Sequence, residues 1–243
     1  MNKQFMYCLM LGGCFLALFA LGEFLYRIAK VQAEYTRKLI HVGTGLLTLL
    51  FPVFLINHWY VLLLCGMFAI ILLLSLRFKF LPSINAIERK SHGSISFPLA
   101  VYCTFLFYTY GFIDSWNGNY ETQPAFYYIP VLTLAICDPL AALTGKSFPV
   151  KTFKVGEGRK SFGGSLAFFI SATLLCFIFL YGGFAGSHPF SNALIISLCV
   201  AIATTFAEAF SRNGFDNLTI PGAAILVLYF ISHFTGLYWN PQH

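Results

Sequence analysis

The sequence predicts an all-α, polytopic bundle of about eight membrane-spanning helices, forming a single integral membrane domain over residues 1–243. Three observations carry this expectation. Of 243 residues, 58% are hydrophobic and only 10% charged, a balance far from that of a soluble domain. Apolar stretches of about 18 or more residues recur along the whole chain, each able to cross a hydrocarbon core of roughly 30 Å as a helix. The cations fall between alternate stretches, as the positive-inside rule requires.

In order, the predicted spans cover residues 5–26, 39–56, 58–76, 95–113, 124–144, 162–182, 190–210 and 219–238. The first is too long and apolar for a signal peptide, with only Lys3 before it and no small-residue cleavage site. Arg27, Lys30, Arg37 and Lys38 separate spans one and two; Arg77, Lys79, Arg89 and Lys90 separate three and four. Between spans four and five, Asp114 and Glu121 sit in a short Trp/Asn/Gly/Tyr-rich connection. Span five carries Asp138-Pro139, which predicts a broken or kinked helix, because proline lacks the N–H that a helix needs. Lys146, Lys151, Lys154, Arg159 and Lys160 precede span six, and Arg212 lies between seven and eight. All Lys and Arg except Lys3 thus share one side, which is expected to be cytoplasmic, with both termini outside. The net charge of +6 is then a local basic surface, suited to anionic lipid headgroups or nucleotide phosphates. The seven cysteines are scattered without a C-x-x-C pair and suit small apolar packing.

Ionisable residues inside or at the ends of spans are costly and mark functional sites by default. Five polar segments meet this test. In "TRKLIHVGTGLL", Arg37 and His41 share a helical face one turn apart, and His41 enters the apolar span. "ERKSHGSISFPL" offers Gly93, Ser94 and Ser96 at a helix start, where free N–H groups can hold an oxyanion. "ICDPLAALTGKSF" ends like half a P-loop, but position 140, where that motif needs its first glycine, is leucine and no strand precedes it; its informative residue is Asp138. "KTFKVGEGRKSFGGSLAFF" joins cations to glycines at a helix start, as a polyphosphate clamp would. "TTFAEAFSRNGFDNLTIPGAA" supplies Glu208, Asp216 and Asn217, hard oxygen donors of the type magnesium prefers. Membrane anchoring and helix capping would account for the cations and hydroxyls equally well. The positive-inside rule leaves the three acids and Asn217 unexplained.

Taken together, "RKLIHVGTG", "GSISFPL", "CDPLAALTGK", "GRKSFGGSLAFF" and "AEAFSRNGFDNLTIP" resemble the CTP-dependent membrane kinases of lipid alcohols, which include dolichol kinase, phytol kinase and the CTP-dependent diacylglycerol kinase. The resemblance runs from about residue 35 to 225 and leaves span one outside. It implies transfer of the terminal phosphoryl group of CTP, or UTP, to the hydroxyl of a phytol-like alcohol, a polyprenol or diacylglycerol entering from the bilayer. Asp138, Asp216 and Asn217 would hold Mg2+. Lys38, Arg159, Lys160 and Ser161 would contact the nucleotide, and Glu208 or His41 would take the hydroxyl proton. Gly163 stands where the family commonly carries glutamate. Two other functions fit the same residues less fully: a CTP:phosphatidate cytidylyltransferase, and an ion-coupled transporter, which would place its ionisable groups near the midplane.

Overall fold

A computed structural model describes residues 3–85, 93–110, 123–156, 158–184 and 188–234. Its helices are α1 (Lys3–Arg27), α2 (Ala33–Thr48), α3 (Phe51–Phe54), α4 (His58–Phe78), α5 (Pro82–Asn85), α6 (Gly93–Tyr110), α7 (Ala125–Leu132), α8 (Asp138–Ser147), α9 (Phe162–Tyr181), α10 (Phe190–Phe210) and α11 (Asp216–Phe234). Among the described residues, seven helices are long and apolar enough to cross a membrane, with α2–α3 and α7–α8 each counted once, while the apolar part of α6 is shorter, Ile95–Tyr110. The architecture is the all-α polytopic bundle that hydropathy predicts. Asp114, Glu121 and Glu157 lie outside the described residues.

The fifth span differs from expectation in one respect. In place of a break at Asp138-Pro139, the helix runs on from Ala125 to Ser147 through a π-wound turn at Thr133–Cys137. In π winding a carbonyl looks for the N–H five residues on, and for Leu134 that residue is Pro139, which has none. Proline therefore leaves a carbonyl unpaired without ending the helix.

This helix is the centre of the bundle: 67% of its apolar window is buried, against 28–39% for the other spans. On one side α1, α2, α4 and α6 pack around Phe15, Phe51, Leu64 and Phe105. On the other, α9, α10 and α11 pack around Cys176, Ile196 and Leu228, and Phe168, Ala201 and Ile220 press on the π turn. Leu9, Leu16, Leu63, Ile70, Leu166, Leu174 and Ile202 point outward, as lipid-facing side chains do.

Small residues set two of the close crossings around the central helix. A Cβ on Gly45 of α2 would lie 2.3 Å from Ala135 Cβ, so α2 rests directly on the π turn. A Cβ on Gly164 of α9 would lie 2.8 Å from the Ala141 carbonyl of α8, and one on Gly145 would meet Ser161 Oγ at 2.7 Å. Gly145 in Thr-Gly-Lys-Ser is thus a helix-packing glycine, inside a helix and unlike a phosphate loop. Gly45→Ala will lower stability by about 1–3 kcal/mol, read as a fall in the melting midpoint of detergent-purified protein. An unchanged midpoint would show that α2 can step away at no cost.

A feature not foreseen from sequence joins α8 to α9. Strands β1 (Thr152–Val155) and β2 (Gly158–Ser161) form an antiparallel hairpin, pairing Lys154 with Arg159 and Phe153 with Lys160. Ser161 then caps α9, its Oγ accepting the Gly164 N–H at 3.1 Å.

Candidate functional site

The central helix presents Asp138 to α2. Lys38 Nζ donates to Asp138 Oδ2 at 2.8 Å, and the two side chains are only 13% and 9% exposed. His41, one turn further along the same face of α2, brings Nε2 to 4.0 Å from Asp138 Oδ2. Its stronger contact is to the Leu134 carbonyl, 3.1 Å from Nε2. A carbonyl only accepts, so Nε2 carries the proton and, in the neutral ring, Nδ1 keeps its lone pair. The π turn thus leaves a carbonyl that fixes the tautomer of a histidine on the neighbouring helix.

A second charged pair lies where the hairpin meets α10. Lys160 Nζ donates to the Glu208 carboxylate and, at 2.7 Å, to the Glu208 carbonyl. Ser165 Oγ donates to the other carboxylate oxygen at 3.3 Å. Both oxygens of Glu208 are therefore held. Through-space charge interactions link Asp138 to Lys160 and Glu208, and His41 to Asp216, so the pairs belong to one electrostatic unit.

Asp216 and Asn217 open α11. Asp216 Oδ1 accepts the Asn217 N–H at 3.1 Å, and Asn217 Nδ2 donates to the Gly93 carbonyl at the start of α6, also at 3.1 Å. This buried amide tie closes the Asn217-Leu218-Thr219 glycosylation sequon. Arg159, Lys160, Arg212, Gly214 and Asp216 surround a small polar crevice between the hairpin and the α10–α11 turn. Among the described residues no three His, Cys, Asp or Glu side chains form a ready metal cage. Magnesium needs less: it takes one or two carboxylates and leaves its other positions to waters and substrate phosphates. Asp138 Oδ1, Asp216 Oδ2 and the Asn217 amide oxygen have no hydrogen bond among the described residues, and this hard-oxygen donor set suits such an ion.

Beside these charges, α1, α2, α4 and α6 line an open-sided cavity of about 590 Å3. Arg37, His41, Asn85 and Asn217 line it together with Phe15, Phe51, Leu64 and Val101. His41 and Asn217 thus border both the cavity and the charged site.

Of the residues singled out in the sequence, Lys38, His41 and Asp138 are in contact or near contact, Lys160 and Glu208 are paired, and Asp216 and Asn217 lie next to both groups. Arg159 is exposed on the hairpin, and Ser161 is buried and occupied with its cap. Lys146 is tied to Glu34 and lies 5.6 Å from the centre of the Tyr35 ring, joining α8 to α2. Sequence reasoning missed Ser165, which looks like any small residue in "GGSLAFF". It also missed the walls that α1 contributes, since Phe15 and Phe19 look no different from lipid-facing aromatics.

No protein-family model matches the chain, and neither does any solved structure. Over 213 residues the chain is 32% identical to phytol kinase from Synechocystis sp., covering 86% of this chain and 84% of that protein. This likeness extends over the helices that carry the charged pairs. The chain belongs to the lipid alcohol kinase family that includes phytol kinase.

Proposed function

We propose that the protein transfers the terminal phosphoryl group of CTP, or of UTP, to the hydroxyl of a lipid alcohol at the cytoplasmic face of a membrane. The observation that carries this reading is the sharing of His41 and Asn217 between an apolar cavity and a cluster of opposite charges. An alcohol held in the cavity would present its oxygen where a nucleotide's phosphates would lie. The cytoplasmic placement rests on the distribution of cations, and a phytol-like acceptor is suggested by the relative's name.

Phosphoryl transfer needs the attacking and leaving oxygens in line and the phosphate charge neutralised. Lys38, Arg159 and Lys160 supply positive charge, and Ser161 places the amino end of α9, whose N–H groups favour anions. Asp138, Asp216 and Asn217 would hold Mg2+, which would supply positive charge against the negative charge of the transferring phosphate. Of the two candidates for the hydroxyl proton, the geometry favours His41. Among the described residues its Nδ1 has no hydrogen-bond partner and it lines the cavity, whereas both Glu208 oxygens are engaged. Glu208 instead holds Lys160 in place.

Membranes containing the protein, given a lipid alcohol and CTP labelled at either the α or the γ phosphate, test this. Label from the γ position is expected in the lipid product. Lipid that takes up the α label would overturn kinase chemistry in favour of cytidylyl transfer.

A further inference from the structure

Asp216 and Asn217 are consecutive at the start of α11, yet they open onto different spaces. Asn217 lines the apolar cavity, whereas Asp216 lines the polar crevice between the hairpin and the α10–α11 turn. Consecutive helical residues point about 100° apart, so the first turn of α11 stands between the two. His41 belongs to the cavity and Lys160 to the crevice, and Asp138 interacts through space with the charges of both.

The crevice suits an anion. Arg159, Lys160 and Arg212 border it against one acid, Asp216. Lys160 is paired with Glu208, but among the described residues the guanidinium groups of Arg159 and Arg212 have no ion pair or hydrogen bond. Ser211 Oγ also borders the crevice and is buried without a partner among the described residues, although buried polar groups are nearly always hydrogen-bonded. The hairpin meets the α10–α11 turn at two points. One is Lys160 on Glu208; the other is Gly156, with φ +60°, where a Cβ would lie 3.2 Å from Arg212 Cδ. The stem of Arg212 is thus held beside the crevice while its charged end stays unpaired.

We propose that this crevice is the leaving-group site, and that Arg212 and Ser211 bind the diphosphate of the departing nucleoside diphosphate. The inference rests on the kinase reading and deepens it. In the transfer the alcohol oxygen bonds to the γ phosphorus and its proton passes to His41 Nδ1. The bond from that phosphorus to the β–γ bridging oxygen breaks, and its electron pair leaves on the diphosphate. Attacking and leaving oxygens must lie roughly in line, and spaces on two sides of one helical turn supply the two ends. In a loose transition state the leaving oxygen has already gained much of its charge, so a cation fixed there lowers the barrier. The guanidinium fork of Arg212 matches two phosphate oxygens at once, and the Ser211 hydroxyl donates to a third.

The test measures transfer from CTP to phytol with CDP added as product inhibitor and, separately, equilibrium binding of CDP with no alcohol present. Arg212→Gln is expected to lower kcat about a hundredfold, to weaken CDP at least about tenfold in both measurements, and to leave the KM for the alcohol unchanged. Arg212→Lys, which keeps the charge and loses the fork, should recover part of kcat. Ser211→Ala should weaken CDP about threefold. CDP binding that neither variant changes would overturn the site. A raised KM for the alcohol with kcat intact in Arg212→Gln would overturn the leaving-group role. CDP binding weakened by Arg212→Gln in a protein that phosphorylates no alcohol would keep the crevice as a diphosphate site and remove the kinase reading.

Discussion

Membranes carrying Asp138→Asn will show a loss of lipid phosphorylation of about a hundredfold or more, the scale on which one preorganised charge acts in a transition state. Asparagine keeps the shape of the side chain and removes its charge. Lys38, with its side chain 13% exposed, is then left without a counter-ion in an apolar surrounding. Losing one partner of a buried pair costs about 3–5 kcal/mol, so the protein level will fall as well. The double variant Lys38→Met/Asp138→Asn separates the two effects, since it removes both charges together. Its level in membranes is expected to recover while activity per molecule stays low. Full activity in Asp138→Asn would remove this acid from the mechanism.

Lys160→Ala is expected to lower transfer by about a hundred- to a thousandfold, because Lys160 both supplies charge and ties the hairpin to α10 through the carbonyl and carboxylate of Glu208. Glu208→Gln distinguishes the roles of the pair. If Glu208 only positions Lys160, the amide still accepts a hydrogen bond at its oxygen and most activity survives. If Glu208 receives the substrate proton, the variant will be as inactive as Lys160→Ala. Assays of both variants, normalised to the amount of protein in the membrane, decide between these outcomes.

The bundle was legible because the cost of exposing backbone to lipid forces long apolar helices, and hydropathy shows them directly. The meeting of Lys38 and His41 with Asp138 was half legible. The distribution of cations puts all three at one membrane face together with Glu208 and Asp216, but which of these acids meets α2 is decided by packing. Two features were hidden for physical reasons. The π turn leaves no compositional mark beyond the proline after Asp138, and the hairpin at Thr152–Ser161 is a pair of four-residue strands in a polar, glycine-rich loop. The cavity was hidden because an aromatic residue lining a void and one facing lipid look the same in sequence. It includes Phe15 and Phe19 of α1, the helix outside the stretch that resembles the family, so the part of the chain least readable as kinase supplies a wall of the proposed acceptor site. Gly163 has a local explanation: a Cβ there would lie 2.9 Å from the Phe148 carbonyl, so a glutamate at this position requires the strand-side loop to move.

The wide turn at Thr133–Cys137 also makes the aim of Asp138 a matter of phase. Each residue of an α-helix advances the chain by about 100° around its axis, and a π turn accommodates one residue more than α winding would. Were the same residues to settle into plain α geometry with none deleted, everything beyond the turn would rotate by about 100° relative to Phe126 and Ile129. Length, hydropathy and membrane insertion would scarcely change. Asp138 would swing away from Lys38, and the helix would cross the bilayer as before with its acid on the wrong side.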